Sequence, residues 1–165
     1  MPVEKRDPRE NVFSVMLLSD YMLPMPPAEQ MLDVIAKFAG ETKLLDYSSK
    51  MASFIPVEFT GEIADTEIPV SLIISGCEKM YGYIYEEYSA AVQKKYGTSQ
   101  QKLYNCRYQI TATDFLAGTL PAADRLKLDR AFLQALVKIY PDCMRIYMPK
   151  TGAVYTKDEI TGIYA

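Results

Sequence analysis

The chain has 165 residues, of which 49% are hydrophobic and 24% charged, and its formal net charge is −3. This balance is ordinary for a globular domain, and no apolar stretch reaches the roughly 18 residues that cross a membrane, so no membrane partner is expected. The acidic balance and the scattered Lys and Arg residues argue against nucleic acid as a partner. The chain contains no histidine, which excludes Ser-His-Asp and Cys-His catalysis within it and removes the commonest metal ligand.

The N-terminal segment and the cysteines bear on the cellular compartment. Residues 1–10 form a polar lead with charges of both signs and lack the apolar core of a signal peptide, so we expect a cytoplasmic protein. Cys77, Cys106 and Cys143 form no C-x-x-C pair, which favours buried thiols in a reducing compartment over disulfides or zinc. We predict no metal and no cofactor, and a single α+β domain over residues 11–165.

The first part of the chain predicts a strand, a helix and a pair of strands. The nearly continuous apolar run at residues 12–18 is typical of a central strand that is covered on both faces. Apolar residues then recur at helical spacing between Pro27, which suits a first helical turn, and Gly40, which suits a cap. Alternating segments at residues 51–59 and 68–74 predict two strands that pair as a hairpin.

The middle of the chain adds an irregular strand and a tyrosine-rich helix. Pro56 cannot donate a hydrogen bond to a strand ladder, so we expect its strand at a sheet edge or with a bulge. Residues 60–65 are polar and are predicted to form only a short connection. The tyrosine-rich segment 78–97 is predicted to be a packing helix, and the alternative is a platform on which a ligand stacks.

The architectural centre of the sequence is a strand, a helix and a strand between residues 103 and 148. Alternation at residues 103–113 predicts a strand with one apolar face and one wet face. A helix is predicted between Pro121 and Pro141, and a second strand at residues 143–148 ends in a turn at 149–152. The strand face of Cys106, Tyr108 and Ile110 is expected to pack beneath the helical stripe of Leu128, Phe132 and Ile139.

The end of the chain completes the predicted order of elements. Residues 153–155 predict a short strand, and the T-x-x-E capping box at Thr156 and Glu159 predicts a new helix. Without these two C-terminal elements, the order is β-α-β-β-α-β-α-β. This order indicates an α+β fold with a mainly antiparallel sheet covered by helices, and we expect a ferredoxin-like β-α-β-β core with an added helix and strand.

Two short motifs match the serine β-lactamase set but lack its context. Ser99-Gln100-Gln101-Lys102 fits S-x-x-K, and Lys150-Thr151-Gly152 fits K-T-G. The serine should open a helix, whereas here it precedes a predicted strand, and the K-T-G lies in a turn after a proline. We therefore predict no catalytic residue from these motifs.

Four polar residues are candidates for a ligand site at an end of the sheet. Asp20 follows the first predicted strand and Asp114 follows the long one, and the ends of sheets often carry sites. Both also suit turns and caps, which is the commoner role of aspartate at such positions. Tyr104 and Arg107, on the long strand, complete the set of candidate ligand-binding residues.

Two segments resemble an uncharacterised bacterial domain-of-unknown-function family. They are residues 13–18, Phe-Ser-Val-Met-Leu-Leu, and residues 145–152, which finish in Pro-Lys-Thr-Gly. In that family a tryptophan stands where this chain has Met148, and a further C-terminal portion follows. The resemblance covers most of the chain and implies a fold type, and it transfers no activity and no functional residue.

The leading hypothesis is a non-catalytic interaction or regulatory module of the bacterial cytoplasm, one version of which is an immunity-type protein. Thirteen tyrosines and nine methionines offer apolar contact surface to a protein partner or to a second copy in a homo-oligomer. The alternative is a small-ligand-binding protein or an enzyme with a pocket at one end of the sheet. A third class, a structural module of a larger chain, predicts a gene that continues beyond Ala165.

Overall fold

The structure is a computed structural model that describes residues 13–97 and 106–164. The strands in these residues are β1 Ser14–Ser19, β2 Thr42–Tyr47, β3 Met51–Pro56, β4 Thr60–Ile63, β5 Thr66–Pro69, β6 Ser71–Ser75, β7 Glu78–Lys79, β8 Tyr108–Phe115, β9 Arg145–Met148 and β10 Ala153–Tyr155. The helices are α1 Ala28–Ala39, α2 Gly82–Tyr96, α3 Ala122–Ile139 and α4 Lys157–Tyr164, with a 3-10 turn at Ala117–Thr119.

Eight of these strands form one antiparallel sheet. Its order is β10-β9-β1-β8-β6-β3-β2, and the short β7 pairs with β8 beside the end of β6. β4 and β5 form a separate two-stranded hairpin. The predicted α+β class with a mainly antiparallel sheet is confirmed.

The centre of the sheet has a ferredoxin-like strand order. β1 lies between β9 and β8, and β6 follows on the other side of β8, while α1 and α3 pack against each other on one face. The predicted β-α-β-β core had the segments at residues 51–59 and 68–74 as the two strands after the first helix, whereas β6 and β8 hold those places in the structure. The second helix of this core is α3 and not the earlier α2. α2 belongs to the opposite face, and β2 and β3 extend the sheet beyond β6.

β1 carries apolar side chains on both faces, as its continuous apolar run predicted. Val15 and Leu17 point into the first core, between the sheet and helices α1 and α3, whereas Met16 and Leu18 point into the second, beneath α2. All four residues are buried, because successive side chains of a strand alternate between its faces. Pairing with β8 on one side and β9 on the other keeps the backbone of β1 at the centre of the sheet.

Helices α1 and α3 each bury an apolar face against the first core. In α1, Met31, Ile35 and Ala39 recur every four residues and are buried, and Gly40 ends the helix with a φ of 84°, a value that favours glycine. The predicted stripe of α3 is confirmed, since all its members lie within the first core. Those residues are Leu128, Phe132, Ala135, Leu136 and Ile139.

Two predictions for the middle of the chain are wrong. The strand that contains Pro56 is not at an edge, because β2, which the sequence did not reveal, pairs with its outer side. The bulge lies in β2, between Leu44 and Asp46, rather than at Pro56. Residues 60–65 are more than a connection, because they contribute β4 and the turn of the β4–β5 hairpin.

The long strand also differs from its prediction. Its described part, β8, begins at Tyr108, and residues 103–105 of the predicted strand lie outside the described part of the chain. Ile110 packs in the same core as the α3 stripe, as expected, but Cys106 belongs to the second core, where the Tyr88 hydroxyl lies 3.8 Å from its sulfur. The face that was expected to be wet is covered near its start, because Gln109 is buried.

The C-terminal elements follow their signals. The turn at residues 149–152 joins β9 to β10, and the Glu159 amide donates to the Thr156 hydroxyl at 3.1 Å at the start of α4, as a capping box requires. The predicted polar lead at residues 1–10 lies outside the described residues. Among the helices of the described ranges, none combines the length and the apolar character needed to cross a membrane.

Candidate functional site

The structure describes three of the four candidate residues predicted from the sequence and places Asp114 far from the other two. Asp20 directly follows β1, and the Arg107 amide donates to the Ser19 carbonyl at 3.0 Å, so both lie at what we call the Ser19 end of the sheet. Asp114 lies near the other end of β8, roughly 23 Å away along an extended strand of seven residues. Tyr104 is outside the described residues. Asp114 therefore does not share a site with Asp20 and Arg107.

Asp114 is a buried structural residue. Its side chain is wholly inaccessible, and its Oδ1 accepts a hydrogen bond of 2.9 Å from the Phe13 amide. Arg125 of α3 donates to both carboxylate oxygens, at 3.3 Å from Nε and 3.4 Å from a terminal nitrogen. These contacts fasten the start of β1 and the first turns of α3 to the end of β8. Asp114 lines none of four hollows on the surface, which lie beside the loop at residues 22–27, beside β3 and beside the β9–β10 turn.

Arg107 has a local role at the opposite end. Its guanidinium carbon lies 3.8 Å from the centre of the Tyr85 ring, the distance of a stacked cation–π contact. Asp20 is exposed beside it. This pair presents one charge of each sign on the surface, and neither residue lines any of the same four hollows.

The concave surface lies elsewhere at the Ser19 end, around the methionine-proline loop at residues 22–27. One hollow of about 250 Å³ separates this loop from the end of α3, where its wall includes Ile139 and Tyr140. A larger hollow of about 620 Å³ opens on the other side of the loop, and we call it the Cys77 groove. Its seven lining residues are Met22, Leu23, Pro24, Met25, Tyr47, Ser49 and Cys77.

Two tyrosine hydroxyls hold this loop in place. The Tyr47 hydroxyl at the end of β2 donates to the Pro26 carbonyl at 2.7 Å. The Tyr140 hydroxyl at the end of α3 lies 3.6 Å from the Met25 sulfur. The loop is thus fixed at both sides by elements distant in sequence, so the groove beside it is largely preformed.

The Cys77 groove is apolar. Met22, Leu23, Pro24 and Met25 supply most of its wall, and none of the seven lining residues is Asp, Glu, Lys or Arg. Burial raises the pKa of the Cys77 thiol, which therefore remains protonated at neutral pH. A wall of this chemistry suits apolar side chains or an apolar ligand and supplies no group for proton transfer near neutral pH.

Exposed apolar side chains continue from the groove along the sheet edge. Met22 is 57% exposed and Leu45 is 56% exposed, and Leu44, Tyr47 and Met51 are also exposed. We call these five residues the edge patch. They make up five of the eleven large apolar side chains that are exposed in the described residues, so apolar surface is concentrated at this edge.

The K-T-G fragment has a structural setting. Thr151 and Gly152 lie in the β9–β10 turn and line a hollow of about 370 Å³ with Lys94 and Lys95 of α2. Lys95 forms a 2.7 Å ion pair with Glu159 of α4, and this hydrogen bond lowers the pKa of the Glu159 carboxyl. The cluster ties α2 to α4. The matching S-x-x-K fragment at residues 99–102 lies outside the described residues.

Sequence reasoning missed the groove because its wall comes from three separate segments. The run Met-Leu-Pro-Met-Pro-Pro at residues 22–27 was visible, but Tyr47 and Cys77 come near it only after folding. In residues 13–97 and 106–164, no group of three or more Cys, Asp or Glu side chains is arranged to hold a metal ion. Comparison with protein-family models, with curated proteins and with solved structures found no match.

Proposed function

We propose that the chain is a non-catalytic interaction or regulatory module of the bacterial cytoplasm, which binds a protein partner through the Cys77 groove and the edge patch. The observation that carries the proposal is the continuity of an open apolar groove with five exposed apolar side chains at one edge of the sheet. An immunity-type protein, which covers the active surface of another protein, is one form of this function.

The energetics of apolar burial support this use of the surface. Burying a fully exposed Leu or Met side chain contributes about 1.5–3 kcal/mol. The five side chains of the edge patch are between 38% and 57% exposed, so covering each one contributes roughly half of that, and a partner that covers several of them gains affinity. Methionine has three rotatable bonds and adapts to different partner surfaces. Met22, Met25 and Met51 lie in or beside this region, which suits it to accept side chains of varied shape.

The thiols are consistent with the proposed compartment. Cys77, Cys106 and Cys143 are all free, and Cys106 and Cys143 are buried in separate cores. Free buried thiols are typical of proteins kept in a reducing environment.

A site-specific photocrosslink tests the proposal. A benzophenone amino acid replaces Met22 beside the groove, and in a matched variant it replaces Leu126, which is 50% exposed on α3. In cells that carry the native partner, we expect one protein to crosslink at position 22 and not at position 126. Binding of that purified protein should weaken when Tyr47 is replaced by Glu. The proposal fails if position 22 gives no crosslink beyond that of position 126.

The second candidate function is binding of a small apolar ligand in the same groove. The groove volume of about 620 Å³ falls within the roughly 300–1,000 Å³ of ligand pockets. The substitution Cys77→Phe fills the groove and distinguishes ligand binding from protein binding. If the groove holds a small ligand, an apolar fluorescent probe should bind the wild-type chain and be lost in the variant, while crosslinking at position 22 remains absent.

A further inference from the structure

The outer edge of β2 borders the large sheet and is the surface considered for pairing. β2 ends the strand order of the large sheet, so its outward N–H and C=O groups have no strand partner among the described residues. Five of its six residues are exposed. An unpaired strand edge is a template for pairing with another strand, and here it adjoins the edge patch.

The bulge in β2 decides which side chains share a face. Lys43 pairs with Ile55 and Asp46 pairs with Ser53, while Leu45 is the extra residue. Ile55 and Ser53 lie on the same face of β3, two residues apart, opposite to the face on which Phe54 enters the first core. Lys43 and Asp46 therefore stand on one face, although a regular strand would place residues three apart on opposite faces.

With this geometry the sequence Thr42-Lys43-Leu44-Leu45-Asp46-Tyr47 is complementary to itself. We propose that β2 pairs antiparallel with β2 of a second copy, about a twofold axis between Leu44 and Leu45. Lys43 then faces the partner's Asp46, and the symmetry repeats the pair on the other side of the axis. Leu44, which is 43% exposed, faces the partner's Leu45 at the centre. This inference rests on the proposed function and names a second copy as one partner.

The charges of β2 are available for this pairing. Neither Lys43 nor Asp46 forms an ion pair within the described part of the chain. Asp46 accepts one hydrogen bond, from the Tyr47 amide through Oδ1 at 2.8 Å, which leaves Oδ2 open to a lysine. Opposite charges directly across an antiparallel pair stabilise the pairing, whereas like charges oppose it.

The bulge also explains why a second copy is favoured over an arbitrary strand. Edge strands of natural proteins use lysines and bulges to discourage chance pairing, and β2 has both. A regular strand laid against β2 would fall out of register at the bulge. Lys43 and Asp46 would then have no partners on it. A second β2 brings the same irregularity and the complementary charge at each symmetric position. Pairing of six residues with the nearby edge patch buries a small interface, which is typical of weak, transient association, so we expect a weak dimer.

Charge exchange tests the pairing by sedimentation equilibrium. Lys43→Glu alone and Asp46→Lys alone should each raise the dimer dissociation constant about tenfold or more, because each turns both symmetric pairs from attraction to repulsion. The double variant K43E/D46K, and an equimolar mixture of the two single variants, should recover the wild-type constant. Recovery in the mixture shows that the single variants are folded. Lys127→Glu and Glu86→Lys, which make the same charge changes on exposed helical positions, should leave the constant unchanged.

Two results would overturn the inference. One is a wild-type chain that stays monomeric at millimolar concentration, and the other is a dimer whose dissociation constant does not respond to the charge exchange. Neither result affects the crosslink at position 22 to a different protein, so failure of the self-pairing and failure of the proposed function remain distinguishable.

Discussion

The carboxyl groups of Asp114 and Asp129 share a buried site beside Arg125. Asp129 follows Arg125 by one helical turn, and its Oδ2 lies 3.8 Å from the arginine Nε that also binds Asp114. The other oxygen of Asp129 is buried and meets no donor among the described residues. Burial raises the pKa of Asp129 to about 9, with contributions from a hydrogen bond to Asp114 and from its charge. A proton on Asp129 that is donated to Asp114 accounts for this arrangement.

This proton makes the stability of the fold depend on pH. The folded chain keeps it up to a pH of about 9, whereas the unfolded chain releases it near its ordinary pKa of 3.8. The stabilisation is complete below the unfolded pKa and is lost as the pH rises towards the folded pKa. Asparagine cannot ionise, so we expect Asp129→Asn to reduce the pH-dependent loss of folding stability. The reduction should be up to about 1.4 kcal/mol for each pH unit.

Urea denaturation at about pH 5 and about pH 8 measures the effect as a difference between wild type and variant. As the pH rises, the free energy of unfolding of the variant should increase relative to that of the wild type. Asp124→Asn, at an exposed position in the first turn of the same helix, is the control and should show little pH-dependent difference. A constant difference between D129N and wild type at both pH values would mean that Asp129 is ionised in the folded chain.

Arg125 is expected to be essential to the same site. Replacing it with Met leaves the inaccessible Asp114 carboxylate without its cation, which should lower the free energy of unfolding by about 3–5 kcal/mol. Arg125→Lys keeps the positive charge but cannot bond both carboxylate oxygens in the same way, so it should lower the free energy of unfolding by less than Arg125→Met does. Lys127→Met removes an exposed charge from the same helix as a control, and an equal loss in K127M would contradict the assignment.

The sequence predicted those elements whose periodicity is complete. β1 and α3 were located because a continuous apolar run and a stripe at helical spacing reflect burial directly. β2 was missed because its bulge breaks the period of two and its side chains are mostly exposed. The β4–β5 hairpin was missed because its turn places Ala64 and Asp65 at positive φ without glycine, which is the usual signal for such a turn.

The candidate site was less predictable than the fold. The sequence predicts one site for Asp20 and Asp114 because each stands at the end of a predicted strand, but an antiparallel sheet puts the ends of β1 and β8 at opposite sides. Asp114 moreover lies within β8 rather than after it. The Cys77 groove has no sequence motif, because shape and apolar surface define it. Such surface is visible only when the loop, the end of β2 and Cys77 are brought together.

Two leucines on α3 test the assignment of its buried face. Leu128 is wholly buried in the first core, whereas Leu126, two residues earlier, is 50% exposed. We expect Leu128→Ala to lower the free energy of unfolding by about 2–5 kcal/mol, because it leaves a cavity. Leu126→Ala should change it by less than about 0.5 kcal/mol, since both changes remove the same atoms and differ only in burial. Similar losses in the two variants, measured by urea denaturation, would show that the helix is rotated from this orientation.

The three thiols should differ sharply in reactivity because only Cys77 reaches the surface. Cys106 and Cys143 are each 1% exposed, and burial raises the pKa of both, that of Cys143 to about 11, so little thiolate forms near neutral pH. With an aromatic disulfide reagent, we expect one thiol to react in the folded chain and three after unfolding, and Cys77→Ser should abolish the first reaction. The rate should increase with pH above the ordinary range of a thiol, since burial also raises the pKa of Cys77. A partner or ligand that occupies the groove should slow this reaction, whereas rapid reaction of all three thiols in the folded chain would contradict the burial of the two cores.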